Sequence, residues 1–417
     1  MHAIYKILAK SSGKKTVKQG EIVNAEVDLM MIHERQGTFV VKKLAGLGIS
    51  KIRIPGEKLI AVFDHEVPPS KIESAESQKI FRDFLKKQEN VNVYHIGEGI
   101  CHQIVSEKGH IYPGMVYLGL DSHTVTSGAF GAFATGIGVT ETASVLLTGK
   151  IWLKIPPVIK FNITGNLKPY VMAKDIILHI LGKFRQSFCV YKGIEFSGPT
   201  LKTMPIDERM VLSNMSIEIG AKFGYIQPDD ITREYLKDRV KNEYQIFETD
   251  DDFEYDNVYE INVEELGPQV ACPHYPDNVK GVEQVEGTEI DQVFIGSCTG
   301  GRYHDIETAA KIIGNNKIPK GLKFLISPAS KEIYLKALDK GIIKQLIIAG
   351  AVIMHPNCSN CTAMHLGFLA TGERSVSTAN RNFRGRIGSY DSEIYLASSA
   401  TAAASALKGV ITDPRNL

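Results

Sequence analysis

Three of the six cysteines have a spacing that suits metal or cluster ligands. Cys298 follows a strand-like segment, and Cys358 and Cys361 form a C-x-x-C pair further along the chain. Such a turn brings two sulfurs to one centre, and thiolates select soft metals or iron–sulfur clusters. A thioredoxin-like redox pair is typical of a much smaller module, and a structural zinc would need His355 or His365 as a fourth ligand. Both stay open as alternatives, but three thiolates without an evident fourth favour a cluster with one open iron.

Two acidic–histidine sequences follow predicted strands. A buried strand predicted over 58–63 ends on Asp64 and His65, and another, over 115–120, ends on D-S-H-T at 121–124. Ligands gather at the carboxyl ends of strands in parallel α/β sheets. Such a pair more often satisfies a structural hydrogen bond, but an imidazole held by a carboxylate also suits general acid chemistry near neutral pH.

The elements that must position these residues alternate between strand and helix, which predicts an α/β fold with parallel sheets. A chain of 417 residues is too long for one ordinary core. A Pro-Pro break at 156–157 and a second α/β region from about 290 divide it. We therefore predict three domains, over 1–157, 158–285 and 286–417.

The composition excludes several classes of protein. Lys and Arg number 48 against 47 Asp and Glu, a formal net charge of +1, so no electrostatic footprint for nucleic acid or an anionic membrane is present. No apolar stretch reaches the ~18 residues of a membrane span, and the first residues lack a signal-peptide core. We expect a cytoplasmic protein without membrane or nucleic-acid partners.

Cys101, Cys189 and Cys272 are interpreted as buried small hydrophobes.

The motifs, taken in order, resemble the large subunits of isopropylmalate isomerase and homoaconitase, within the aconitase superfamily. The matching blocks are F-D-H at 63–65, D-S-H-T at 121–124, G-I-G at 136–138 with Glu141, N-M-S-I-E at 214–218, G-S-C-T at 296–299, C-x-x-C at 358–361 and N-R-N-F-R-G-R at 380–386. In this order and spacing they are very specific. The resemblance implies three α/β/α domains around a central cluster cleft.

The resemblance also implies a cofactor and roles for the matched residues. Cys298, Cys358 and Cys361 would hold one 4Fe-4S cluster per subunit, whose open iron acts as a Lewis acid on the substrate hydroxyl. The expected catalytic residues are Asp64 and His65, which protonate the departing hydroxyl, His123 and Glu141, a second pair at the iron-bound water, and Glu195, beside the same oxygen. The expected substrate-binding residues are Ser122, Asn380, Arg381 and Arg386, because guanidinium suits bidentate carboxylate recognition.

A partner subunit is implied as well. Aconitases have a further mobile swivel domain that supplies the base and another arginine, and this chain, ending at Leu417, has no room for it. In the isomerase branch a separate small subunit carries that domain, so we expect the large half of a heteromer acting on a small carboxylate. Isopropylmalate, in leucine biosynthesis, is the first expectation. Homoaconitase or a malate or dimethylmalate hydratase is the alternative, and a non-catalytic metal-binding or RNA-binding protein is the alternative of another class.

Some positions depart from the family pattern. Gly300 replaces a common asparagine, Ser127 a histidine, and Ser399 a proline. His33 and Glu34 do not extend to the H-E-x-x-H of zinc proteases, and their matched place in the family is near the substrate pocket.

Overall fold

The computed structural model describes residues 1–362 and 366–417, so His365 lies outside the described residues. The strands are β1 (Ile22–Glu26), β2 (Leu29–His33), β3 (Leu59–Val62), β4 (Asn92–Tyr94), β5 (Val116–Gly119), β6 (Phe133–Gly136), β7 (Lys150–Lys154), β8 (Val158–Thr164), β9 (Gly193–Ser197), β10 (Phe223–Ile226), β11 (Asn257–Asn262), β12 (Gln269–Ala271), β13 (Val279–Gly281), β14 (Gln292–Ile295), β15 (Lys323–Ile326), β16 (Val352–Ile353), β17 (Arg374–Ser377) and β18 (Glu393–Leu396).

The helices alternate with these strands through most of the chain. They are α1 (Ala3–Ser11), α2 (Glu34–Gly46), α3 (Ile72–Leu85), α4 (Cys101–Glu107), α5 (Val139–Thr148), α6 (Ala173–Phe184), α7 (Ile206–Met215), α8 (Asp230–Leu236), α9 (Tyr303–Ile313), α10 (Lys331–Asp339), α11 (Ile342–Ala349), α12 (Ser359–Thr362) and α13 (Ser399–Lys408). Short 3-10 helices, among them Ser122–Phe130 and Ser216–Ile219, occur between them. No helix within the described ranges combines the length and the apolar character needed to cross a membrane.

The described residues form two compact units, each assembled from separate stretches. Unit 1 comprises Met1–Ile96, Ile104–Ile163 and Cys189–Ile261, and unit 2 comprises Gly97–Gln103, Thr164–Phe188 and Asn262–Leu417. The boundaries predicted at 157/158 and 285/286 both fall between elements. The three-domain division stays a prediction.

Unit 1 contains a five-stranded parallel sheet in the order β4-β3-β2-β5-β6. Every residue of β2, β3 and β5 is buried, as expected of central strands covered on both faces. A four-stranded sheet, β10-β9-β8-β11, and the antiparallel pair β1-β7 belong to the same unit. The pair alternates buried and exposed residues, because only one face meets the core.

Unit 2 contains a seven-stranded mixed sheet in the order β13-β12-β18-β17-β14-β15-β16. Strands β18-β17-β14-β15-β16 are parallel, and β12 and β13 extend the edge antiparallel. An apolar core that includes Val293, Ile295 and Ile326 lies against this sheet. The predicted α/β class is confirmed.

Candidate active site and cysteine centre

His65 lies immediately after β3 with a carboxylate at each ring nitrogen. Its Nδ1 is 2.8 Å from Oδ1 of Asp64, and its Nε2 is 3.5 Å from Oδ2 of Asp121. Burial alone lowers the pKa of an imidazole, but here the charge of Asp64 and the hydrogen bonds to Asp121 and Asp64 raise the pKa of His65 well above its usual value. Both ring nitrogens of His65 therefore face acceptors, an arrangement that favours the protonated ring. That is the state a proton donor needs.

Glu34 fixes the turn that carries this pair. Its two carboxylate oxygens accept the backbone N–H groups of Asp64 and His65, at 3.0 Å each, and of Glu66, at 2.6 Å. Burial raises the pKa of Glu34 to about 7, and the charge of Asp64 adds to the effect. Because Glu34 bonds three successive backbone N–H groups, it fixes the backbone from which the Asp64 and His65 side chains extend.

His33, the last residue of β2, stacks on His65 with ring centroids 3.8 Å apart and an interplanar angle of 16°. Burial, followed by the positive charge of His65, lowers the pKa of His33 to about 3. His33 is therefore neutral while its stacked neighbour is protonated. Its buried Nδ1 has no hydrogen-bond partner among the described residues.

A second histidine pair follows β5. The Oδ1 of Asp121 accepts the backbone N–H of His123 at 2.7 Å and caps the 3-10 helix Ser122–Phe130. The cap directs the His123 side chain so that its Nε2 lies 2.8 Å from Oε1 of Glu218, and both side chains are buried. The Oγ of Ser122 is 3.5 Å from Nδ1 of His123. The ring thus lies between a buried carboxylate and a hydroxyl.

In unit 2 the cysteines of the two motifs are joined through one amide. Cys298 follows β14, and Cys358 immediately precedes α12, which contains Cys361. All three are at most 8% exposed. The fully buried Asn380 places Nδ2 3.4 Å from the Sγ of Cys298, and its Oδ1 accepts from the Sγ of Cys361 at 3.1 Å. Asn380, expected to bind substrate, therefore touches a sulfur from each motif.

The backbone before Cys298 is in an uncommon conformation. Ser297 has φ of +69°, in the left-handed region that non-glycine residues rarely adopt. Its Oγ accepts the N–H of Thr299 at 3.2 Å, and its carbonyl accepts the N–H of Gly301 at 3.1 Å. These bonds hold the turn that presents Cys298.

The arginine loop after Asn380 is anchored by a second asparagine. The Nδ2 of Asn382 donates to the carbonyls of Ala271, Cys272 and Ile394. Arg381 is half-buried, and so is Arg386, whose buried Nε has no partner among the described residues. A guanidinium with spare donor capacity on an anchored loop suits carboxylate binding.

Comparisons with known proteins decide the family. The model of the aconitase family, described as aconitate hydratase, matches residues 5–409. The chain belongs to the aconitase family. It is accordingly a hydro-lyase enzyme, and the resemblance seen in the sequence motifs is confirmed.

Relatives within this family match the chain over its whole length. A probable 3-isopropylmalate dehydratase large subunit of Methanothermobacter thermautotrophicus is 48% identical, over 99% of this chain and 98% of the relative. A 3-isopropylmalate dehydratase large subunit of Methanopyrus kandleri is 46% identical, over 98% of both chains. A probable methanogen homoaconitase large subunit of M. thermautotrophicus is 44% identical, over 100% of this chain and 98% of the relative.

Among solved structures, the chain is similar to holo aconitase X of Thermococcus kodakaraensis, with a TM-score of 0.53 and 10% identity. The match covers 86% of this chain and 84% of that one. At this identity the likeness concerns the fold alone, and it agrees with an aconitase-type α/β architecture.

In the structure the carboxylate that bonds His123 is that of Glu218, and the role expected for Glu141 at the leaving oxygen stays a prediction. Glu141 is exposed in the first turn of α5, with its carboxylate beside the start of its own helix at Gly138. Glu218 instead reaches the imidazole, because the 3-10 helix Ser216–Ile219 presents it there. Glu218 is the last residue of the matching block N-M-S-I-E, and that block is the sequence signal that could identify it.

Glu195, which is expected beside the same oxygen, bonds side chains of a buried cluster in the structure. Its Oε2 lies 2.8 Å from Nε2 of His2 and accepts from the hydroxyl of Tyr255 at 3.0 Å, while Oε1 is 3.5 Å from Nζ of Lys160. Burial would raise the pKa of Glu195, but His2, Lys160 and Tyr255 together lower it. Both oxygens thus have partners within the protein, and the catalytic role of Glu195 stays a prediction.

Two departures from the family pattern have a local explanation. A Cβ at Gly300 would lie 2.1 Å from Oγ1 of Thr378, so the threonine occupies the space that a side chain there would need. Ser399 is the first residue of α13, a position that accepts proline or serine equally well. Ser127 is buried within the 3-10 helix, and nothing in the structure explains its replacement of histidine.

Proposed function

We propose that this chain is the large subunit of a 3-isopropylmalate dehydratase, which interconverts 2- and 3-isopropylmalate by dehydration and rehydration in leucine biosynthesis. The observation that carries the proposal is full-length identity of 46–48% to relatives with that name. The 44% identical homoaconitase relative makes homocitrate the second candidate substrate. Because these relatives are named large subunits, we propose that a separate small subunit completes the enzyme.

The proposed cofactor is a 4Fe-4S cluster held by Cys298, Cys358 and Cys361. The Nδ2 of Asn380, which donates towards the sulfur of Cys298, supports the fit, since amide N–H groups that bond ligand sulfurs orient and tune such centres. A single zinc ion would bring its thiolates within about 3.8 Å of one another. The compact groups of potential ligands among the described residues contain no cysteine, which favours the larger cofactor over zinc. When bound, the cluster supplies a Lewis acid through its iron without a cysteine ligand.

The protein's own residues supply the proton chemistry. His65, charged and held by Asp64 and Asp121, is the proposed donor to the departing hydroxyl. Asp64 keeps the ring oriented and compensates the charge that the donor carries before transfer. His123, bonded to Glu218, is the proposed second group that holds the leaving oxygen.

Arg381 and Arg386 are the proposed carboxylate binders, with Ser122 as a further substrate contact. Two guanidinium groups on one anchored loop can recognise a dicarboxylate through paired N–H donors. Asn380 is reassigned, in this proposal, to the cluster sulfurs.

The test combines metal analysis with an activity panel. The chain, coexpressed with the small subunit and purified anaerobically, should contain iron and sulfide and absorb near ~400 nm. Cys298→Ser should abolish the absorbance, whereas Cys272→Ser, a matched control in the same unit, should retain it. Among isopropylmalate, homocitrate, citraconate and dimethylmaleate, isopropylmalate should give the highest kcat/KM. Protein that contains zinc and no iron after reconstitution would refute the cofactor, and a preference for homocitrate would select the second candidate.

A further inference from the structure

We infer that Lys174 is a positioning residue that locks the Cys298 loop to the loop of Asn380 and Arg381, and so determines how firmly the cluster is held. The inference rests on the proposed function, because it concerns the proposed cluster ligands. All of the residues involved belong to unit 2.

The buried ammonium of Lys174 has three converging acceptors. Lys174 lies in the first turn of α6 and is 2% exposed. Its Nζ donates to Oγ1 of Thr299 at 3.1 Å and to the carbonyls of Thr378 and Ala379 at 2.9 and 2.8 Å. An ammonium carries three donors, and burying one is costly unless each finds a partner. The match between donors and acceptors indicates a built position for this charge.

The acceptors lie on the two loops that meet the sulfurs. Thr299 follows Cys298, and Ala379 precedes Asn380. Thr299 Oγ1 also donates to the carbonyl of Thr378 at 2.8 Å, so the ammonium reinforces a bond that already joins the loops. With Lys174 in place, the amide of Asn380 is held at the distance from which it reaches both sulfurs.

The same network holds the strained turn before Cys298. Thr378 Oγ1 bonds both the N–H and the carbonyl of Gly296, at 2.9 Å each. Ser297, with its positive φ, follows Gly296, and such strain persists only where surrounding contacts fix it. Removal of the ammonium is expected to loosen this turn first.

The helix that carries Lys174 is anchored without it. The Oδ2 of Asp175 accepts the N–H of Met172, and its Oδ1 accepts the N–H of Gln269, both at 2.8 Å. Because α6 stays attached to β12 through Asp175, replacing Lys174 should alter the two loops and leave the helix in place.

The charge has a consequence beyond geometry. A buried cation beside a ligand loop favours the more negative form of thiolates and of the centre they bind. Its loss should therefore make reduction of the cluster harder, which a purely mechanical brace would not do.

The test compares the full-length chain with Lys174→Met after anaerobic reconstitution. The matched control is Lys168→Met, which removes a more exposed lysine of the same unit that pairs with Glu265. Lys174→Met should bind a cluster but lose it to a chelator roughly 10- to 100-fold faster than the wild type, the usual effect of removing an outer partner. Its reduction potential should shift to more negative values. Lys168→Met should match the wild type in both measurements.

Cluster lifetime and potential equal to those of the wild type in folded Lys174→Met would overturn the inference. If Lys174→Met does not fold, Thr299→Val tests the inference instead. This variant removes one acceptor and keeps the ammonium of Lys174. It should shorten the lifetime of the bound cluster without changing its reduction potential. An unchanged lifetime in that variant overturns the inference. A wild-type chain that binds no cluster refutes the proposed function and leaves the inference about Lys174 to be tested in the apo chain. In that case hydrogen exchange measures whether Lys174 joins the two loops. Lys174→Met should speed backbone exchange at 296–300 and 376–381, and unchanged exchange would overturn the inference.

Discussion

His65 and His2 are two buried histidines of unit 1, each 2.8 Å from a carboxylate oxygen, and they differ at the other ring nitrogen. The second nitrogen of His65 faces the carboxylate of Asp121. The Nδ1 of His2 accepts the backbone N–H of Ile4 at 3.1 Å. His65 therefore faces a carboxylate from each ring nitrogen, whereas His2 faces one carboxylate and one backbone N–H.

The surroundings of the two rings reinforce this difference. His2 is enclosed by aromatic rings, among them Tyr225 and Phe253 at centroid distances of 5.5 and 5.3 Å. His65 has another imidazole stacked on it and lies at the carboxyl end of a parallel strand. A short histidine–carboxylate distance is therefore common to both pairs. The proposed donor, His65, differs from His2 in the carboxylate at its second nitrogen.

The largest expected effect comes from removing the proposed proton donor. His65→Gln should lower kcat of the proposed two-subunit enzyme by about 10²- to 10⁴-fold, the usual contribution of general acid catalysis. KM and iron content should stay near the wild-type values, because the ring supplies a proton and holds neither the cluster nor the carboxylates. Steady-state kinetics with iron analysis checks this. A loss below about ten-fold would remove His65 from the role of donor.

The two carboxylates considered for His123, Glu218 and Glu141, give the second comparison. Glu218→Gln should reduce kcat by at least about ten-fold, because an amide cannot supply the charge that orients and polarises the imidazole. Glu141→Gln, with its exposed side chain, should leave kcat unchanged. Parallel kinetics on the two variants decides between the pairings. Equal losses in both, or a loss in Glu141→Gln alone, would favour the pairing expected from the sequence.

At His2 the expected effect is on stability. His2→Leu should reduce the free energy of unfolding by about 1.5–3 kcal/mol, since a buried carboxylate loses a charged hydrogen bond. The folded enzyme should keep its kcat, in contrast to His65→Gln. Denaturant unfolding and kinetics at a temperature where the variant is folded test both statements. A large loss of kcat at unchanged stability would restore Glu195 to the reaction.

The sequence could predict elements wherever the pattern is local. Apolar runs predict β3 and β5 to within one or two residues. The acidic–histidine sequences can be recognised as candidates because each directly follows one of these predicted strands. Pairings across long separations were not accessible. Glu218 is 95 positions from His123, and Glu195 is 193 from His2, so no spacing rule selects these partners over nearer carboxylates such as Glu141. Similarity to a family identifies the residues, but only the packing of the 3-10 helix and of α1 determines which of them meet.

The last expected effect is the pH dependence that His33 contributes. Burial and the charge of His65 lower the pKa of folded His33 to about 3, while an unfolded histidine titrates near 6.5. Between these values the unfolded state binds more protons, so the contribution of His33 to stability is complete above pH 6.5 and is lost as the pH falls towards 3.

The difference in free energy of unfolding between wild type and His33→Asn should therefore be constant above pH 6.5 and shift against the wild type below it. Denaturant titrations at several pH values measure this difference. A difference that does not vary with pH would mean that His33 is not held neutral beside a charged His65. The electrostatic contrast between His33 and His65 would then have no basis.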